Sequence, residues 1–156
     1  MSKIATCIWF DTQAKEAADF YCSVIPNSRI TGVTYYGEAG PGPKGSVLTV
    51  TFELDGAPYM GLNGGPHFPL SPAVSVSVTC HDQAEVDRLW ETLSQGGRND
   101  QCGWVTDRFG LSWQIVPGQL QRMLSSGDEA ATARAMRAMF KMTKLDIAEL
   151  ERAYNG

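Results

Sequence analysis

Histidine is scarce in this chain: there are two in 156 residues, His67 and His81. A metal centre built on imidazoles, or a nucleophile served by a histidine base, therefore has few places to stand. The four cysteines (Cys7, Cys22, Cys80, Cys102) contain no CxxC pair and no metal-ligand spacing, which excludes a zinc ribbon or a thioredoxin-like redox motif. Cys7 and Cys80 lie in apolar, strand-like runs where a reduced thiol behaves as a small hydrophobe. All four are expected to be free thiols in a reducing cytoplasm. The 13 basic residues are scattered and outnumbered by 17 acidic ones, for a net charge of −4. Without a clustered basic face there is nothing to neutralise phosphates, so nucleic acid is not an expected partner. No apolar run approaches the roughly 20 residues of a membrane span, and no basic segment followed by a long apolar one opens the chain. Neither a membrane nor a signal peptide is expected. Residues 37–45 form a glycine- and proline-rich loop with Lys44, but it lacks the GK[ST] ending of a phosphate-binding loop and reads better as a mobile pocket rim.

What is present suffices for one core. Hydrophobic residues make up 43% of the chain, with four tryptophans, as in a compact globule. Residues 4–10 read as a buried strand. A helix follows through about residue 25, capped by Asp11 or Thr12, with Ala17, Phe20, Tyr21 and Val24 at helical spacing. Residues 29–36 form a strand, and residues 47–54 and 57–62 a hairpin about Asp55-Gly56. After a connector at 63–72 the order repeats. A strand at 73–80 alternates Val74, Val76 and Val78 with Ser75 and Ser77. A helix capped by Asp82 buries Val86, Leu89, Trp90 and Leu93, and a hairpin follows at 102–116. The second half is one strand short by sequence; the missing strand is expected within residues 97–101, or that stretch is irregular.

The expectation is one α+β domain over residues 1–156, built from two fused βαβββ modules (about 1–64 and 73–118) and a helical tail (about 119–156). The modules form a curved, largely antiparallel sheet with helices outside. In the tail, Ala133, Met136, Met139 and Phe140 form an apolar stripe. Asp146 with Glu149 fits a capping box, stapled by Leu145 with Leu150. Such helices must lie on the sheet or on a second subunit.

Residues 101–117 carry the densest signal. One face of the last strand is Leu111, Trp113 and Ile115; the other is Ser112, Gln114 and Val116. A polar face beside bulky aromatics suits a small-molecule cavity. Gln114 reads either as a ligand hydrogen-bonder or as a residue satisfied across the sheet. Trp104 reads as cavity wall or core, Trp113 as core, and Trp9 as a further wall candidate. Ser75 and Ser77 line the cavity or face water. Cys102 would need a base to act as a nucleophile, and only His67 and His81 are on offer.

The two-module order and the phrase QCGW-x-x-D-x-FG-x-SWQIVP resemble the vicinal oxygen chelate (glyoxalase/bleomycin-resistance) superfamily. The narrower resemblance is to its PhnB-like, demethylubiquinone methyltransferase-like branch. Trp9-Phe10-Asp11, Phe20-Tyr21, Pro26-Asn27-Ser28, Leu62-Asn63-Gly64-Gly65-Pro66 and Lys144-Leu145-Asp146-Ile147 carry the same likeness. The resemblance implies a cavity on the concave side of the sheet and a homodimer. It implies metal-ligand positions near Thr6, at Gly61 or Asn63, near Ala73 and at Gln114. Only Gln114, and weakly Asn63, are ligand types, so no cofactor is expected, with a divalent metal as the alternative. Nothing resembles a glycine-rich fold for a methyl donor. The expected pocket residues are Thr6, Tyr59, Asn63, Ser75, Ser77, Cys102, Trp104, Ser112 and Gln114. The expected function is small-molecule binding without a firmly held metal, with catalysis left open. The alternatives are a metal-dependent lyase, isomerase or dioxygenase and a bleomycin-resistance-like sequestering dimer.

Overall fold

A computed structural model describes residues 2–156. The chain divides into two compact units, Met1–Leu70 and Ser71–Gly156. The first holds β1 (Thr6–Phe10), α1 (Ala14–Val24), β2 (Arg29–Tyr35), β3 (Val47–Leu54) and β4 (Ala57–Asn63). Its sheet has the order β1-β4-β3-β2, with β1 parallel to β4 and the other pairs antiparallel. Val50, Phe52 and Leu54 alternate along β3 into the core, where α1 lays Ala14, Ala17, Ala18, Tyr21 and Val24 against the sheet. Asp55 and Gly56 both take positive φ (47° and 80°), the backbone a two-residue hairpin turn requires.

The start of α1 departs from expectation. Neither Asp11 nor Thr12 caps it; the N-cap position is Gln13, with no side-chain hydrogen bond. Instead Asn63 Oδ1 accepts from Ala14 N at 2.9 Å. The parallel pairing sets Asn63 opposite Phe10, so the end of β4 arrives where the helix begins.

The second unit holds β5 (Ser75–Cys80), α2 (Gln83–Ser94), β6 (Arg98–Asn99), β7 (Trp104–Thr106) and β8 (Ser112–Pro117). The tail follows as α3 (Gly118–Leu124), α4 (Glu129–Met139) and α5 (Ile147–Asn155). The sheet order β5-β8-β7-β6 reproduces that of the first unit, again with one parallel pair, β5 with β8. The expected missing strand is β6, two residues long. Its approach to β7 is close: a Cβ on Gly97 would lie 2.0 Å from Thr106 O, so only glycine fits. Asp82 caps α2 by accepting from Glu85 N at 2.8 Å, while Glu85 Oε2 accepts from His81 N at 2.7 Å, a reciprocal box. Val86, Leu89, Trp90 and Leu93 are the buried residues of α2, as the spacing predicts.

The tail lies largely on its own unit. Leu120, Met123, Ala135, Met142, Leu145 and Leu150 form one buried cluster, with Val116, Ala138, Met139 and Tyr154 packed against it. The buried face of α4 is Ala131 and Ala135, not the expected stripe; Met136 and Phe140 stay exposed. Small alanines let α4 approach its neighbours closely, which turns the larger side chains outward. Asp146 Oδ1 accepts from Glu149 N at 2.9 Å, and Leu145 and Leu150 share the cluster, as a capped and stapled α5 should. Among the described residues, no helix is long and apolar enough to cross a membrane.

Candidate functional site

Register in the second unit collects five of the expected residues on one face. In the parallel pair, Ser75 lies opposite Ser112 and Ser77 opposite Gln114; across β7–β8, Trp104 lies opposite Gln114 and Thr106 opposite Ser112. Trp113 and Ile115 are fully buried on the other face, with α2. Gln114 Nε2 donates to Ser75 Oγ at 2.9 Å. Ser112 is 1% exposed, and its hydroxyl has no hydrogen-bond partner among the described residues. A buried hydroxyl without a partner carries a desolvation cost that a ligand group could relieve. At the edge of this face Asp100 is already committed, accepting from Thr106 Oγ1 at 2.8 Å and Arg98 Nε at 2.9 Å. The face thus offers hydroxyls, one amide and an indole ring, all neutral.

The first-unit candidates fall on the opposite kind of face. Thr6, Tyr59 and Asn63 share parity with Ile8, Phe10 and Gly61, the side that α1 covers; a Cβ on Gly61 would meet the Ala14 side chain at 3.0 Å. Tyr59 stacks on Phe52 with ring centroids 5.5 Å apart, and Phe52 also meets Tyr21 of α1. Burial pushes the Tyr59 phenol above its ordinary value. Both ends of the Asn63 amide are used, Oδ1 by Ala14 N and Nδ2 on Val47 O at 3.1 Å. The residues of this sheet that face away from α1 include Cys7, Trp9, Thr49, Thr51, Met60 and Leu62, one position along the strands from Thr6, Tyr59 and Asn63. Trp9 is fastened there, its Nε1 donating to Gly65 O at 2.8 Å and its ring edge-on to Phe68.

Cys102 precedes β7 in a turn with φ of 59°, and its N–H donates to Met142 O at 2.9 Å. Within the second unit no hydrogen bond joins its thiol to His81 among the described residues, so no nucleophile–base pair is formed with that histidine. The metal-ligand positions implied by the resemblance do not fit a divalent cation. Thr6 is a hydroxyl on the α1 side, Gly61 has no side chain, Asn63 is spent on the backbone, Ala73 is a methyl, and Gln114 is a neutral amide. Among the described residues, no group of three or more His, Cys, Asp or Glu gathers elsewhere.

The first unit also contains a cleft of about 370 Å³ that the expected site residues, Asn63 apart, do not touch. It opens where β1 and β4 end side by side, between Asp11 and Thr12, the 64–67 turn and the glycine–proline loop. Tyr36 organises that loop: its hydroxyl donates to Asn63 O at 2.6 Å, and its ring lies where a Cβ on Gly42 would be, 2.3 Å away. The proline and glycine content of residues 37–45 was the visible signal for a rim. Asp11 carried none, because it read as a helix cap.

Two mixed sheets of identical strand order, each carrying a helix after its first strand, define a duplicated βαβββ protein. The family described as 3-demethylubiquinone-9 3-methyltransferase matches residues 2–116. A PhnB protein from Bacillus cereus is 33% identical over 75% of this chain and 100% of its own, with a TM-score of 0.69. A protein of known structure from Pseudomonas aeruginosa, 19% identical over 75% of this chain and 98% of its own, shares the fold with a TM-score of 0.62. No curated protein matches the chain. The chain belongs to this PhnB-like family of the vicinal oxygen chelate superfamily. Its tail beyond residue 116, including Lys144-Leu145-Asp146-Ile147, lies outside the family match.

Proposed function

We propose that this protein binds an uncharged, oxygen-bearing small molecule on the polar face of its second unit, without a tightly held metal. The observation that carries the reading is the Ser112 hydroxyl, buried and without a partner beside the Gln114–Ser75 pair. A ligand carbonyl or hydroxyl would satisfy Ser112 and the free carbonyl end of Gln114, while a flat apolar portion would lie on Trp104. A charged ligand would find no opposite charge on this face, since Asp100 is already tied to Arg98. The neutral side chains also argue for binding rather than acid–base or covalent catalysis.

Titration calorimetry with p-hydroxyacetophenone as probe tests the reading. Saturable binding is expected, weakened about tenfold or more by Gln114→Leu or Ser112→Val, since a polar contact to a ligand is worth about 1.5 kcal/mol. Binding that both variants leave unchanged, or a preference for charged analogues, would overturn it. Elemental analysis of protein purified without chelator should find no stoichiometric zinc, iron, nickel or manganese. The reading includes a reducing cytoplasmic setting for the four thiols. It also includes a homodimer in which a second copy covers the exposed Met136 and Phe140. A monomer by light scattering at micromolar concentration would remove that last element.

A further inference from the structure

The first-unit cleft has an unusual hydrogen-bond inventory. Three of its lining residues, Pro41, Pro43 and Pro66, have no N–H to offer. The N–H groups of four others are turned to partners inside the chain: Tyr36 to Ser46 O, Ser46 to Pro43 O, Gly64 to Phe10 O and Gly65 to Asp11 O. The hydroxyls of Tyr36 and Ser46 donate to Asn63 O and Pro43 O. The first N–H of α1, which would otherwise draw an anion, is taken by Asn63. These donors are spent within the chain; the Thr12 hydroxyl and the His67 imidazole also line the cleft. The one carboxylate among its lining residues is that of Asp11, which neither caps α1 nor joins an ion pair or hydrogen bond among the described residues. Lys44, the cation of the rim loop, is held by Glu38. Val47, the prolines and the Tyr36 ring supply apolar wall.

We propose that this cleft is a binding site for a small organic cation, a protonated amine on a compact apolar body, with Asp11 as its counter-ion. A pocket with much of its backbone N–H capacity turned inward and one uncommitted carboxylate favours a guest that brings its own N–H groups and positive charge. The cleft's volume lies near the low end of small-molecule sites, which suits a body of about one aromatic ring. This site is separate from the polar face of the second unit and does not rest on it.

Amide NMR titration of the full chain with benzylammonium, benzyl alcohol and benzoate tests the proposal. Benzylammonium should bind saturably and move the amides of residues 42, 44–47, 64, 65 and 67. Benzyl alcohol should bind about fivefold more weakly or worse, as loss of an attraction of about 1 kcal/mol across partly wet surroundings requires, and benzoate not measurably. Asp11→Asn should reduce benzylammonium to the level of the alcohol. Thr12→Asp, which adds a second carboxylate at the same rim, should tighten it. Gln114→Leu should leave it unchanged, which separates this site from the one proposed above. Benzoate binding as tightly as benzylammonium, shifts confined to other residues, or an affinity indifferent to Thr12→Asp would overturn the proposal. So would a folded Asp11→Asn protein that binds as before.

Discussion

Asp107 is 2% exposed, and its carboxylate accepts hydrogen bonds from Phe109 N at 2.9 Å, Leu111 N at 3.0 Å and Trp113 Nε1 at 2.8 Å. It closes the turn between β7 and β8 and orients the buried indole at the same time. Much of the dense phrase at 101–117 thus serves architecture, while Ser112, Gln114 and Trp104 lie together on the other face of the sheet. Asp107→Ala would strand two backbone donors and the indole N–H. The expected loss is about 3 kcal/mol, read as a lower denaturant midpoint at unchanged slope. Cys80 makes a second prediction. Burial pushes its thiol from 9.0 up to about 12. The folded state then keeps the proton longer than the unfolded state, so stability is full below about pH 9 and is lost as pH rises toward 12. Melting curves over that range should fall for the wild type and fall less for Cys80→Ala; parallel curves would assign the decline to other groups, the raised Tyr59 phenol among them.

The two modules solve one problem at the element scale in different ways. Each must begin a helix just after its first strand. In the second, Asp82 and Glu85 do so within four residues of sequence, and that cap is legible because it is local. In the first, the cap comes from Asn63, 49 positions away from Ala14, and no local pattern could reveal it. Asn63→Ala should lower stability by about 2 kcal/mol, since it removes a helix cap and a bond to Val47 O together. Asp11→Ala should leave the melting temperature nearly unchanged. The reverse ranking by calorimetry would contradict the capping seen here. The same parallel pairing sets strand parity, and it puts Thr6, Tyr59 and Asn63 on the α1 side of the sheet, with Asn63 at the rim of the first-unit cleft, whereas Ser75, Ser77, Ser112 and Gln114 fall on one face as expected.

At the scale of the chain, the tail is fastened by contacts that span the second unit. Gln83 Nε2 donates to Leu145 O at 3.0 Å and its Oε1 accepts from Ile147 N at 2.8 Å, while Cys102 and Gly103 donate to Met142 O and Thr143 O. Gln83→Ala should loosen this dock by about 1–2 kcal/mol. Faster amide exchange at residues 142–150, with β8 still protected, would be its signature. Lys144 pairs with Asp87 at 2.8 Å, and its hydrogen bond, followed by that of Gln83, lowers the Asp87 carboxyl from its ordinary value. A depressed carboxylate stabilises above its unfolded value, so this contribution is present at neutral pH and disappears as pH falls below about 4. Exchange in the same segment should quicken in acid, and should not do so in Lys144→Met. Deleting residues 128–156 removes Ala135, Met142, Leu145 and Leu150 from a shared cluster and leaves Leu120 and Met123 uncovered. Aggregation or loss of cooperative unfolding is the expected result.

The sequence by itself determined the duplicated order of elements, the faces of α2 and β8, the hairpin turn at Asp55-Gly56 and the capped start of α5. These rest on periodicity and on contacts between near neighbours, which a chain carries wherever it is placed. Only the tertiary structure decided that Asn63 is a helix cap, that Asp107 holds the Trp113 indole, that α4 buries alanines and exposes Met136 and Phe140, and that Asp11 is left facing a cleft. In each case the deciding partner comes from another element, brought there by strand register or helix docking. The hydrogen-bonding capacity of a side chain is written in its identity, but whether that capacity is spent or spare depends on which backbone groups the fold places beside it.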